Sequence, residues 1–313
     1  MSKSRSLSVA VCVSAVLAVV AWCALASASE YGISTYCAGF MDLFAGAMPE
    51  PGTTVAKTFF LYQDTQGGAN NGQFRVKTNT ANYTEALFVA HVTELSLLGA
   101  HYGFGTFAQT RVSQQKMALG PVSFAPKRED MTLGGFGDLI LVPLLLNWNL
   151  RDFHLLSALL VYTPTGSYDS TRIINIGLNR WAIEPDFGVT WMDADTGRQA
   201  SVFTGYTINS RNSATHYRSG DEFHADFVAA QYLPHGFVAG VAGYALQQTT
   251  PDSGDGAIFG GYEGRVLALG PLVGKTVEIG NTRINFTFKY DFEFAAQNRA
   301  TGNALWMTAA LEL

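Results

Sequence analysis

Charge is what this chain has least of. Only 14% of its 313 residues are Asp, Glu, Lys or Arg, against roughly 25% in soluble globular domains. That scarcity argues against a surface wetted on every side. The balance is acidic, −5, and a nucleic-acid binder needs a basic footprint that is missing here. Cysteine is nearly absent. Cys12 and Cys23 fall within the first 28 residues and leave Cys37 alone, which excludes an intramolecular disulfide framework and a thiolate zinc site in the rest of the chain. Long apolar runs are also lacking: beyond residue 28 nothing approaches the roughly 18 apolar residues of a spanning helix.

Other things are plentiful. Glycine numbers 32, aromatics make up 12%, and mean hydropathy is +0.11, a mixture that suits strands, tight turns and interfacial rings. The one long apolar run sits at the N-terminus. Lys3 and Arg5 precede an apolar core over 9–25, and Ala26-Ser27-Ala28 gives a small-residue cleavage pattern. This predicts a secretory signal peptide over 1–28, removed near Ser29. Trp22 before Cys23 is too bulky for a lipoprotein signal.

The stretch 283–294 alternates without a fault. Ile284, Phe286, Phe288, Tyr290, Phe292 and Phe294 fall on one side; Arg283, Asn285, Thr287, Lys289, Asp291 and Glu293 fall on the other. Side chains of a β-strand alternate between faces, and a tilted strand crossing a bilayer needs roughly 9–11 residues, apolar toward lipid and polar toward a lumen. The pattern recurs. Trp181, Ile183, Phe187, Val189 and Trp191 oppose Glu184, Asp186, Gly188 and Thr190, and Phe223, Ala225, Phe227 and Ala229 oppose Glu222, His224 and Asp226. Twelve strands are predicted, at 55–63, 84–93, 100–112, 135–147, 152–163, 183–193, 200–209, 222–232, 236–247, 261–269, 283–294 and 304–313. Residues 74–78 read as a further short strand or a loop, and 139–146, apolar on both faces, as a buried strand or a lumen wall lined with hydrocarbon. Short spacers such as 149–152 and 234–236 belong at one end, and long connections, 113–132 and 165–180, at the other.

The fold class is therefore all-β: an antiparallel transmembrane β-barrel of about twelve strands, fourteen being the next choice, since such barrels have even strand numbers. The domain plan is a signal over 1–28, an N-terminal arm or plug over 29–54, and the barrel over 55–313. Within the arm, Phe40, Met41, Leu43 and Phe44 are candidates to plug the pore and hold apolar cargo. Candidate lumen-lining residues are Glu184, Asp186, His224, Asp226, Arg265, Arg283, Lys289, Asp291 and Glu293. Mixed signs can pair across strands, so these side chains either form a rigidifying network or touch a ligand. Glu222, His224 and Asp226 share one face of a strand and could ligate a metal, but no second His–carboxylate cluster supplies the remaining ligands. No metal or cofactor is assigned. No Gly-x-Ser-x-Gly elbow is present, and the glycine-rich 254–261 lacks the Lys-Ser/Thr of a phosphate loop, so no catalytic residue is assigned either.

Several segments, in their order and spacing, carry a resemblance. They are Gly135-Phe136-Gly137-Asp138, then Tyr162-Thr163-Pro164-Thr165-Gly166-Ser167-Tyr168-Asp169, and Trp181-Ala182-Ile183-Glu184-Pro185. Gly205-Tyr206-Thr207-Ile208-Asn209 and the run from Tyr217 to His224 follow. Gln247-Gln248 with Asp252-Ser253-Gly254, and Gly264-Arg265-Val266, complete the set. Together they resemble the phenol-degradation meta-pathway family of outer-membrane proteins. The resemblance implies a barrel in the bacterial outer membrane, partnered by its lipid and by the barrel-assembly machinery. It also implies uptake of hydrophobic, including aromatic, small molecules by diffusion, with no enzymatic step. A structural barrel without transport, or a barrel enzyme, are the alternatives. The chain ends in Leu313 rather than the terminal aromatic common in bacterial barrels.

Overall fold

Residues 283–294 form a strand hydrogen-bonded on both edges, and so do most strands of this chain. The structure, a computed structural model, describes residues 29–312 apart from 67–73, 122–126, 173–174, 258–260 and 281. The expected signal over 1–28 lies outside the described residues. Among the described residues thirteen strands follow one another: β1 (Gly52–Gln66), β2 (Phe74–Leu97), β3 (Ala100–Pro121), β4 (Lys127–Phe136), β5 (Ile140–Leu150), β6 (Phe153–Tyr162), β7 (Ala182–Asp193), β8 (Arg198–Asn209), β9 (Glu222–Leu233), β10 (Phe237–Gln248), β11 (Arg265–Ile279), β12 (Thr282–Gln297) and β13 (Thr301–Glu312). Each pairs antiparallel with its neighbours. β1 also joins β13, and β2 joins both β1 and β3, so twelve strands close into a barrel. Closure removes the sheet edges that lipid could not satisfy.

β4 is the exception. It pairs with the far half of β3, from Thr110↔Phe136 to Leu119↔Lys127, while β5 takes the near half, from His101↔Asn147 to Phe107↔Ile140. The two are one stave broken at residues 137–139. Asp138 turns out of the ladder there and accepts the backbone N–H of Gly166 and of Leu178, each at 2.7 Å. A Cβ at Gly166 would lie 2.8 Å from the Asp138 carboxylate, so this latch needs glycine. Among the described residues β4 has no strand on its other edge.

The twelve expected strands all correspond to staves of the barrel. Residues 74–78 are the start of β2, and the expected strand 261–269 begins at Arg265 and runs on to Ile279. Pro271 lies inside β11, opposite Val241 of β10 and at a place where β11 has no partner residue on β12. The expected long connection 113–132 is instead mostly strand: β3 runs on to Pro121, and β4 opens at Lys127 and ends at Phe136, within the expected strand 135–147. Short turns join β5 to β6 and β9 to β10, the latter through Pro234–Gly236 with His235 and Gly236 at positive φ. Long connections crowd the opposite end.

Exposure alternates with the sequence. On β7, β9 and β11 every second residue is buried over most of the length, while Ile183, Phe187, Phe223, Phe227, Leu267, Leu269, Phe286, Phe288, Phe292 and Phe294 are exposed. An apolar belt this large is far beyond scattered surface hydrophobes and marks a lipid-facing surface.

Residues 29–51 contribute no strand. They pass through the barrel interior, from the end with the long connections, where Ser29 bonds Asp252, to the turn end, where Gly46 bonds Thr190.

Phe288 lies near the middle of β12, where a charge on the lipid face costs about 2–4 kcal/mol. Phe288→Arg is expected to block assembly, and Phe288→Leu to assemble normally. Heat-modifiable migration after folding into lipid checks both.

Candidate functional site

The barrel interior has two unlike sides. One is hydrocarbon. Val142 and Leu145 of β5, Leu156, Ala158 and Leu160 of β6 and Ala90 of β2 are buried together, with Phe88, Phe107 and Ile140 packed against them. Phe88 and Phe107 are direct cross-strand partners, stacked with centroids 4.2 Å apart. The ambiguous stretch 139–146 is thus an inner wall lined with hydrocarbon. A register shift between Leu141 and Leu144, beside Pro143, switches which side chains face inward.

The other side is ionisable. Inward positions of β7, β9 and β12 place Glu184, Asp186, His224, Asp226, Lys289 and Asp291 in the interior, each no more than 5% exposed. Buried charges need partners, and here the N-terminal segment supplies many of them. Asp226 accepts the Tyr36 hydroxyl at 2.6 Å and the backbone N–H of Gly39 and Met41, each at 3.0 Å. Lys289 donates to the carbonyls of Gly39 and Met41, so an acid and a base grip the same turn from opposite sides. Gly39 has φ +87°, and a Cβ there would lie 2.6 Å from the Tyr244 ring; only glycine fits. Thr287 donates to Asp42. Glu293 accepts Tyr62 and Tyr244 hydroxyls at 2.9 and 2.8 Å.

At the end with the long connections the segment is tied a second time. Glu30 is fully buried, accepts the Asn212 amide at 3.0 Å, and lies 3.9 Å from the Arg180 guanidinium. Arg180 also donates to the Thr35 hydroxyl. Asp252 accepts from Ser29, Tyr217, Gly220 and Gln248. Burial raises the Glu30 and Asp252 carboxyls above the usual range, and the hydroxyl, amide and backbone donors around them oppose that rise.

Beside the apolar wall, β7, β8 and β9 bring Glu184, Asp186 and His224 to one place. His224 Nε2 lies 3.5 Å from Glu184 Oε1 and 3.6 Å from Asp186 Oδ1. Tyr36 stacks on the imidazole at 3.5 Å. Glu184 accepts the hydroxyls of Tyr162, at 2.9 Å, and Thr207.

Some expected residues lie elsewhere. Arg265 is exposed on the same face as Leu267 and Leu269, so it belongs to the outer surface. It opens β11 at a register irregularity, and at a strand end a guanidinium can reach the interface. Arg283 has the inward parity but sits beside the β11–β12 turn, 58% exposed and 3.6 Å from Glu278, not in the interior. Glu222 joins neither Asp226 nor a metal set but accepts from Ser29 and Thr35. Phe40 and Met41 pack on the apolar wall and Leu43 on Val228, Val238 and Leu272; Phe44 is exposed at φ +58°. Sequence reasoning passed over Ser29, Glu30, Tyr36, Gly39, Asp42 and Arg180. Their partners are strand and loop residues far away in the sequence, which no local spacing announces.

Comparison with known proteins agrees with this architecture. No curated protein sequence gives a match. Among solved structures, the COG4313 outer membrane channel from Pseudomonas putida F1 superposes with TM-score 0.64 at 14% identity, over 86% of this chain and 98% of that one; at that identity it establishes the fold. The transport unit of the autotransporter AIDA-I from Escherichia coli follows with TM-score 0.47 at 10% identity, covering 87% of this chain and 92% of that one, too low to carry an argument. A family profile described as "Putative MetA-pathway of phenol degradation" matches residues 64–309, most of the barrel. The chain belongs to that family.

Proposed function

We propose that this protein is an outer-membrane channel that admits hydrophobic, including aromatic, small molecules by diffusion, with no catalytic step of its own. The observation that carries the reading is the hydrocarbon wall inside the barrel, where Phe88, Phe107, Leu145, Leu156 and Leu160 face inward beside Phe40. A wholly polar lumen would pass sugars and ions, whereas pockets for apolar ligands are lined mainly by apolar and aromatic side chains with a few polar groups. Membership of a family described by phenol degradation fits this substrate class, and so does the fold shared with a protein described as an outer membrane channel.

In this reading the segment 29–51 is a plug. Its bonds to Asp226 and Lys289 hold it across the lumen, with Phe40 against the apolar wall and the backbone of Gly39 and Met41 against the charged one. The same filling favours a second reading, a structural barrel without transport, and the two differ in what they pass.

Two outcomes are expected. Asp226→Ala removes the acceptor of three hydrogen bonds, each worth about 1.5–3 kcal/mol to a charged group. It should raise single-channel conductance in planar bilayers and expose residues 33–48 to added protease; unchanged conductance would favour the structural barrel. Phe107→Asn should leave assembly intact and slow the uptake of a monoaromatic probe into liposomes roughly 2–10-fold, the equivalent of the 0.5–1.5 kcal/mol an aromatic pair contributes. Equal uptake by both forms would remove the apolar wall from the transport route.

A further inference from the structure

Hydrogen bonding does not account for the meeting of Glu184, Asp186 and His224. The separations of 3.5 and 3.6 Å from His224 Nε2 are too long for a charge-assisted N–H···O bond of about 2.7–2.9 Å. Among the described residues neither ring nitrogen of His224 nor either oxygen of Asp186 has a hydrogen-bond partner, although the two side chains are 0% exposed. Buried polar atoms are almost always satisfied, so four orphaned atoms in two facing side chains call for an occupant. One donor atom from each of the three residues lies within 4.8 Å of the others. A cation bound tetrahedrally at about 2.0–2.2 Å sets its ligand atoms about 3.3–3.6 Å apart. Both separations from His224 Nε2 fall in that range, and the two carboxylates offer oxygens within 4.8 Å of each other.

The strands are built for this approach. Asp186, Gly205 and His224 stand opposite one another across β7, β8 and β9. A Cβ at position 205 would lie 2.0 Å from Asp186 Oδ1 and 2.3 Å from His224 Nε2, so the glycine leaves the space over which the two converge. Glu184 is steered by the hydroxyls of Tyr162 and Thr207, and the Tyr36 ring fixes the plane of the imidazole. Such outer partners orient metal ligands and sharpen affinity. The surroundings are apolar on one side, since Leu160 and Ala158 of β6 stand opposite Glu184 and Asp186, and two carboxylates buried there need positive charge.

We propose that Glu184, Asp186 and His224 bind one divalent first-row transition-metal ion, through His224 Nε2 and one oxygen of each carboxylate. One imidazole with two carboxylates and no thiolate suits zinc, cobalt(II) or manganese(II). Three protein ligands leave a further position open to water. The ion would cross-link β7 to β9 over the gap at Gly205, directly beneath the Tyr36 turn of the N-terminal segment.

The test is a titration of the full-length barrel in detergent, first stripped with a chelator, with Co²⁺ and then Zn²⁺. One Co²⁺ per chain is expected, with the intense visible absorption of a low-symmetry four-coordinate site, displaced by one equivalent of Zn²⁺. Asp186→Asn, His224→Gln and Gly205→Ala should each lose at least tenfold in affinity, and Thr207→Val roughly 10–100-fold. His154→Gln, which alters a half-buried histidine at the start of β6, should bind as the unaltered protein does. If a variant fails to fold, stoichiometry and spectrum of the unaltered barrel still decide. Absence of a saturable cobalt signal, or a signal that survives in His224→Gln, would overturn the proposal and leave a buried histidine–carboxylate ion pair.

Discussion

Hydrocarbon offers no partner for an unpaired backbone N–H or C=O, and the rest of this structure depends on that constraint. It requires β2 to meet both β1 and β3, so that twelve strands close on themselves. Closure in turn gives every strand an outer and an inner face, which is why Phe286, Phe288, Phe292 and Phe294 can be exposed together while Lys289 and Asp291 between them are buried. The constraint is relaxed at β4, whose second edge has no strand partner among the described residues. It lies beyond the break at 137–139, beside the long connections. There Asp138 serves the Gly166 and Leu178 amides instead of the ladder.

A closed ring of this size creates an interior that has to be filled or wetted. Here the chain fills it with its own residues 29–51. Most of that segment has no regular secondary structure, so its backbone groups need acceptors and donors from the wall. Asp226 and Lys289 provide them at the middle, and Asp252, Ser219 and Arg180 at the end with the long connections. The charged residues of the inner face are therefore largely a scaffold for this segment. The hydrocarbon side, from β5 and β6, holds the same segment mainly through apolar contacts with Phe40 and Met41, and is the surface on which the transport reading rests.

Much of the fold was legible because period-two alternation is a local property. Residues 283–294 announce their two faces without reference to anything else, and the same holds for β7 and β9. Where the local signal is mixed, reading fails. β4 carries Lys127, Arg128, Glu129 and Asp130 followed by Gly134 and Gly135, which resembles a loop more than a strand. Arg265 misleads because a charged residue at a strand end is free to face outward. Arg283 misleads differently: its parity is inward, but its height in the barrel puts it at a turn. The segments that carried the family resemblance are scattered in sequence and gathered in space. Glu184, Gly205, Thr207, Glu222, His224, Gln248 and Asp252 all lie toward one end of the interior, around the N-terminal segment.

By itself the sequence determined which face most residues of the regularly alternating strands take, because alternation is fixed by backbone geometry within a few residues. It also determined the class of fold, since repeated amphipathic strands without a spanning helix leave few other ways to meet lipid. Only the tertiary structure decided who meets whom. His224 shares its strand face with Glu222 and Asp226, yet its neighbours are Glu184 and Asp186, two strands away across a glycine. Register and barrel curvature set those contacts, and both are properties of the closed ring rather than of any one strand.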